Sequence, residues 1–356
     1  MHEVVPVINP GSTSTKIALW TRDEALFEKN IAHPSEELSR FNKVTEQFDL
    51  RYGAVVNEFE QAGLTDHKVV AVASRGARLK PLEGGSYLVN ELMLDELRAC
   101  KYSNHAGNLG ALIASRLAEK HNVRAYIVDP ITLDNFIPEA RISGVPEISR
   151  ECRSHALNIK ANAREVAEEL GRAFDECNFI VVHMGGGISV AALRKGLIID
   201  VNDALLGMGP FSAERAGALP IGALVKLCYS GEYSEGELIA RLSRDAGLKG
   251  YLGTPDLQEV EKMIAEGNED AREIFEAMAY QIAKEIGAMS SVLKGRLDGV
   301  IFTGGMAKSR MLLDEIETYV PHLARIFERP GELEMKALAA GVFRVIDEKE
   351  SPKEYV

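Results

Sequence analysis

The apolar positions fall into short runs closed by glycine or proline, separated by longer stretches with helical spacing. The first run, Val4–Ile8, reaches Asn9, turns through Pro10 and Gly11, crosses Ser12, Thr13, Ser14 and Thr15, and leaves past Lys16 as a second run to Leu19. This predicts two strands joined by a tight turn. Half a chain later, IVVHMGGGISVAAL (Ile180–Leu193) repeats the design, with His183 in the place of Asn9 and Gly185, Gly186 and Gly187 as the turn. An internal echo of this kind predicts two similar lobes. A third run, VIFTGGMAKS (Val300–Ser309), ends in Gly304 and Gly305 and feeds a helix-like segment.

Between these landmarks the spacing predicts a strand at Ala25–Ile31, a helix over Phe41–Ala62, and a strand at Val69–Ser74 that delivers Arg75 into Gly76. Helices follow at Glu91–Cys100 and Leu109–His121, then a buried strand, Ala125–Val128, ending at Asp129. Residues 130–154 hold little periodicity, so the lobe boundary is placed there. The first lobe is 1–150, completed by the C-terminal helix 335–356, and the second is 151–334. In the second lobe a helix opens at His155, strands run over Phe179–Met184, Val190–Leu193, Leu197–Val201 and Gly299–Phe302, and helices cover about 221–229, 235–241, 257–265 and 270–294. A last helix runs from about Glu334 to Ile346, and the polar tail Asp347–Val356 is expected to fray. Strands alternating with helices make this an α/β chain.

At 356 residues two domains are expected. A formal charge of -12 argues against nucleic acid or an anionic membrane as the main partner. No apolar stretch approaches the roughly 18 residues a membrane-spanning helix needs, and no basic leader precedes the first strand, so a cytoplasmic protein is expected. Cys100, Cys152, Cys177 and Cys228 are too scattered for a zinc site and read as reduced core residues. There is no G-x-x-x-x-G-K-[ST], and Gly207-Met208-Gly209 is only the start of a dinucleotide fingerprint.

The glycine turns with their hydroxyls and Lys16 suit phosphate, because bare backbone approaches closely and donors are dense. Charge neutralisation in phosphoryl transfer calls for arginines and a metal carboxylate. Arg75, Arg215 in GPFSAERAG, and Asp129 stand beside turns, as such groups do. His155, at a helix start, is placed to hold an oxyanion; His105 lies in a loop between Asn104 and Asn108. Each also fits a blander role, as a surface ion pair, a turn or cap residue, or a packed imidazole. The residues alone leave both open.

In this order and spacing, two hairpins and a Gly-Gly strand resemble the actin, sugar-kinase and chaperone ATPase superfamily. That implies two ribonuclease H-like lobes with a nucleotide cleft between them. VINPGSTSTK, HMGGGIS, GPFSAERAG, IFTGGMAKS and PGELEMKALAAG, spread over nearly the whole chain, resemble more narrowly the acetate kinase family, most closely its butyrate kinase branch. The resemblance implies reversible transfer of a phosphoryl group between ATP and a short carboxylic acid, giving ADP and an acyl phosphate, with Mg2+ and a homo-oligomeric enzyme. By motif, Asn9, Ser12, Ser14 and Lys16 line the phosphate and metal side. Arg75 and Arg215 grip the carboxylate and the transferring group, Asp129 sits near the acceptor or the magnesium shell, and His155 stabilises the transition state. Gly185, Gly186 and Gly187, with His183 beside them, cradle the phosphates; Asp256 meets the nucleotide, Gly304 and Gly305 back the adenosine, and Glu334, or its neighbour Glu332, is the metal-linked acid.

The second turn is all glycine where acetate kinases usually have an asparagine. Gly76-Ala77, Asn104 and Ser154 stand, with His105 beside them, where acetate-specific relatives carry bulkier apolar groups. Smaller groups leave room for an acyl tail, and two further buried methylenes favour a four-carbon acid by roughly 1.6 kcal/mol, over tenfold. Butyrate or a branched homologue is therefore expected. The alternatives are an acetate or propionate kinase and, from another class, an actin- or chaperone-like ATPase switch.

Overall fold

The computed structural model describes Met1–Val356. The chain divides into two units, Met1–Asp134 with Leu333–Val356, and Asn135–Glu332.

The first unit is built on seven strands: β1 (Glu3–Pro10), β2 (Ser14–Trp20), β3 (Ala25–Ala32), β4 (Lys68–Val69), β5 (Val72–Arg75), β6 (Ser86–Leu88) and β7 (Ala125–Val128). Their order is β3-β2-β1-β5-β7-β6, with β4 beside the start of β1. β1 to β3 form an antiparallel meander, whereas β1, β5 and β7 run parallel. β1 is central and almost wholly buried, as its unbroken apolar run requires, and β3 is an exposed edge. Helices Phe48–Gln61 and Asn108–His121 pack on the sheet, joining Ile8, Ile17, Val55, Phe59, Leu109 and Ile113 in one core, and the helix Glu334–Ile346 packs against β1, β5 and β7.

The expected single strand over 69–74 is two, because Pro6 of β1 has no N–H to give: β4 pairs with Glu3–Val4 and β5 with Val7–Ile8. The helix expected from Phe41 starts at Phe48. Glu46 takes the N–H groups of Asn42 (2.9 Å) and Lys43 (3.3 Å) and holds the preceding residues in a separate 3-10 turn. The tail is not frayed. Lys353 exchanges backbone hydrogen bonds with Ser86 (2.8 Å) and Leu88 (3.0 Å), Asn90 Nδ2 donates to the Tyr355 carbonyl (2.7 Å), and the Tyr355 ring is buried.

The second unit repeats the plan with β8 (Asn178–Met184), β9 (Ile188–Arg194), β10 (Leu197–Val201), β11 (Gly299–Gly304) and β12 (Ile326–Pro330), in the order β10-β9-β8-β11-β12. β8 to β10 are again an antiparallel meander, and β8, β11 and β12 are parallel. This is the β3-β2-β1-β5-β7 arrangement over again, strand for strand. β9 packs against the helix Glu269–Val292, whose Ala279, Ile282 and Ile286 enter the core with Val182 and Val190.

All four cysteines are free; Cys152 and Cys177 are buried, but Cys228 is exposed and Cys100 half-buried, so only two of the expected core cysteines lie in the core. No helix is long and apolar enough to cross a membrane.

Candidate active site

In the first unit, the β1–β2 corner pairs Asn9 with Lys16 and Pro10 with Thr15, and Gly11 N donates to the Ser14 carbonyl (2.7 Å) to close the turn. The corner opens onto a cavity of about 800 Å³ lined by Asn9, Ser12, Ser14, Lys16, Arg75 and His105, among others. Glu334, the first residue of the last helix, ties this group together: its Oε2 accepts from Asn9 Nδ2 at 3.0 Å and from Arg75 Nη1 at 3.1 Å. Both bonds converge on one carboxylate oxygen. Glu332 is exposed and belongs to the second unit, so Glu334 is the acid that meets Asn9 and Arg75. Magnesium needs only one or two carboxylates besides substrate phosphates and water. Glu334 and the Asn9 amide form a hard-oxygen set that fits it, although no group of three or more acidic, His or Cys side chains gathers anywhere.

Lys16 faces solvent and pairs with Glu28 (2.8 Å). His105 Nδ1 accepts from Gly107 N (3.1 Å); burial, and then the positive charges of Arg75, Arg78 and Arg51, hold its pKa below the usual imidazole value. Arg78, which the sequence reading did not single out, also lines the cavity, as do Ala77 and Ile131. Three other expected residues have structural work to do. Asp129, in left-handed backbone (φ 40°) and buried, accepts from Gly85 N at 2.8 Å and returns a backbone bond to the Gly85 carbonyl. The Asn104 side chain accepts from Val44 N at 2.9 Å. At Gly76 a Cβ would lie 2.7 Å from that of Pro130, so packing alone demands glycine there.

In the second unit, Gly185 N donates to the Gly187 carbonyl (3.1 Å) to close the β8–β9 turn. His183, one residue before the end of β8, is buried and stacks on His155 at 3.9 Å between ring centroids, 15° from parallel. Asn158 Oδ1 is engaged by Asn162, so its Nδ2 turns to Thr303 Oγ1 (3.1 Å) and to His183 Nδ1 (2.9 Å). His183 Nδ1 is therefore the acceptor, and the ring proton sits on Nε2, on the side of Gly185, where a Cβ would stand 3.5 Å from it. Burial, and then Arg215, lower this imidazole to about 4, so it is a neutral donor beside the turn. His155, immediately before the helix Ala156–Glu169, holds Ser189 Oγ through its Nδ1 (2.9 Å).

Arg215 lies across the same turn. Its Nη1 donates to the Ala204 carbonyl, and a Cβ on Gly187 would fall 2.0 Å from Nη1, so only glycine admits the guanidinium. Ser212 Oγ locks the loop, donating to the Gly186 carbonyl (2.6 Å) and accepting from Arg215 N (3.2 Å). Burial lowers the Arg215 pKa, with Glu214 and Asp203 opposing it, and Nε is buried with no hydrogen-bond partner. A second cavity, about 410 Å³, is lined by Gly185, Gly186, Asp256, Gly305, Lys308 and Ser309 among others. Asp256 caps the helix Leu257–Ala265, accepting from Gln258 N (2.9 Å). Gly304 (φ 90°) leaves no room for a side chain, since a Cβ would sit 2.3 Å from the Met184 carbonyl. Ser154 also belongs to this unit, with a buried hydroxyl that lacks a partner.

Residues 150–319 match the acetokinase family model. In fold the chain is similar to acetate kinase from Porphyromonas gingivalis (TM-score 0.78, 19% identity, 97% of this chain and 100% of that one). It is similar also to a propionate kinase from Francisella tularensis subsp. tularensis SCHU S4 (0.75, 18%, 95% and 98%) and to acetate kinase from Entamoeba histolytica (0.76, 15%, 95% and 98%). The chain therefore has the fold of these acetate and propionate kinases.

Proposed function

We propose that this chain, which has the fold of acetate kinase and an acetokinase-family segment in its second unit, catalyses reversible phosphoryl transfer between ATP and a short-chain carboxylic acid. The finer reading is a butyrate kinase, acting on butyrate or a branched homologue. The observation that carries it is the Asn9–Glu334–Arg75 cluster on one cavity wall, beside phosphate-type hydroxyls and a small apolar patch of Ala77 and Ile131.

A carboxylate is ionised at neutral pH, so no general base is needed, and the neutral His183 and His105 agree with that. Arg75, oriented by Glu334, binds the acid through its guanidinium fork. Ser12, Ser14 and Lys16 receive phosphoryl oxygens. In the second unit the Gly185–Gly187 turn, His183 Nε2–H and Arg215 take the ATP phosphates and the charge that develops on the transferring group, while the cavity bounded by Asp256 and Gly305 takes the nucleoside. His155 acts beside His183, and Asp129 acts by holding the strand end next to Pro130. Glu334 and Asn9 would hold Mg2+, which when bound would neutralise phosphate charge.

Hydroxylamine trapping of the acyl phosphate, across acids of two to five carbons with ATP and Mg2+, tests the proposal. The expected result is a butyrate kcat/KM about tenfold above that of acetate. Acetate or propionate as the best substrate would move the reading to those kinases, and no hydroxamate with any acid would end it. In Glu334→Gln the Mg2+ concentration for half-maximal rate is expected to rise roughly 10- to 100-fold. An unchanged Mg2+ dependence removes Glu334 from the metal.

A further inference from the structure

Arg51 lies on the helix Phe48–Gln61 and is completely buried. Its guanidinium is saturated: Nη1 donates to the carbonyls of Gly11 (2.9 Å) and Ser14 (3.1 Å) and to Thr15 Oγ1 (3.2 Å), Nη2 to the Ser12 carbonyl (2.9 Å), and Nε to Gln47 Oε1 (3.0 Å). Every partner is a neutral oxygen. A buried charge is ordinarily tolerated only with a counter-charge, because desolvation costs several kcal/mol per ion. Here no carboxylate supplies one. His33, 2.9 Å from Thr15 Oγ1, does not add a second cation, since burial and then the Arg51 charge favour its neutral form. Three carbonyls of the β1–β2 corner are thus drawn to Arg51 on one side, while Gly11, Ser12 and Ser14 line the cavity on the other.

We infer that Arg51 is a positioning residue for an anion site in the Gly11–Thr15 corner: it sets the loop by four hydrogen bonds, and its unbalanced charge is answered by phosphoryl oxygens bound on the cavity side. The inference rests on the proposed function for the nature of the anion, a phosphoryl group, but not for the presence of the site. A neutral amide such as glutamine, with two N–H donors, could hold part of the corner without the desolvation cost of a charge.

The test is hydrogen exchange of the peptide spanning residues 9–16 in the full-length protein, titrated with inorganic phosphate alone. In the wild type, phosphate slows exchange there. In Arg51→Lys, which keeps the charge but not the fork, the half-effect concentration rises about tenfold, and in Arg51→Met it rises further. Gln47→Ala, which frees Nε alone, shifts it severalfold and decides the matter if the Arg51 variants fail to fold. Absence of protection in the wild type overturns the site. Equal half-effect concentrations in folded variants, with only the melting temperature lowered, overturn the role of Arg51. Because the readout needs no turnover, failure to phosphorylate any acid would defeat the functional proposal while leaving this one standing.

Discussion

Arg215→Ala is expected to lower kcat roughly a thousandfold, with the far-UV spectrum unchanged. The reason lies in how the side chain is stored. Arg215 is held by one carbonyl, Ala204 O, has a buried Nε–H with no partner, and lies against Gly187, where no side chain fits beside it. On the proposed function, such a partly desolvated guanidinium meets the charge spreading over the transferring group with little reorganisation. Removing it takes little away from the fold, because the neighbouring loop is tied by Ser212 to Gly186. Gly187→Ala reaches the same end by another route: the new methyl occupies the position of Nη1 and must displace it. The double variant is expected to be only slightly slower than Arg215→Ala alone, since both act mainly on one group and the remaining close approach is 2.9 Å to the Ala204 carbonyl. Turnover is read by hydroxamate formation, and a tenfold loss or less in Arg215→Ala would remove this arginine from the reaction.

The corners that hold these groups were legible because their chemistry is local. A polar residue after an apolar run, then glycine and hydroxyls, specifies strand, turn and strand within fifteen positions, and the repeat at Ile180–Leu193 specified that the design occurs twice. What was illegible depends on distant partners. Asn9, Arg75 and Glu334 meet only after the last helix folds back onto the first strand, and nothing near Glu334 distinguishes it from Glu332. β12 is a short, largely exposed edge whose strand character comes from β11, and the tail is ordered by β6, itself too short to announce itself. Arg51 sits among the polar positions of an amphipathic helix and reads as part of its solvated face until the corner it grips is in view. Of the small residues read as room for an acyl tail, Gly76 and Ala77 both line the cavity, Gly76 also clearing Pro130, while the Asn104 side chain is engaged by Val44 N.

Acid is expected to weaken the fold through His183. Its folded pKa of about 4 lies below the 6.5 of a free imidazole. Between those values the unfolded chain holds a proton that the folded chain refuses, so stability rises with pH across that window and is lost as pH falls through it. Each pKa unit corresponds to about 1.4 kcal/mol, so the contribution is on the order of 3 kcal/mol, present in full at pH 7 and gone below pH 4. His183→Asn, which places in the second corner the residue found in the first, carries no titrating group. It loses some stability at pH 7, where the Asn158 bond is weakened, and then declines less steeply on acidification. The expected signature is a fall in melting temperature from pH 7 to pH 4.5 that is smaller in the variant by roughly 6 °C. His33 and His105, whose pKa values burial also lowers, add to the acid limb of both proteins and cancel in the difference. If the two curves run parallel, the His183 imidazole accepts a proton in the folded state as readily as in water. The tautomer that aims its Nε2–H at the glycine turn would then not be fixed by Asn158 and burial, and the neutral-donor role falls with it.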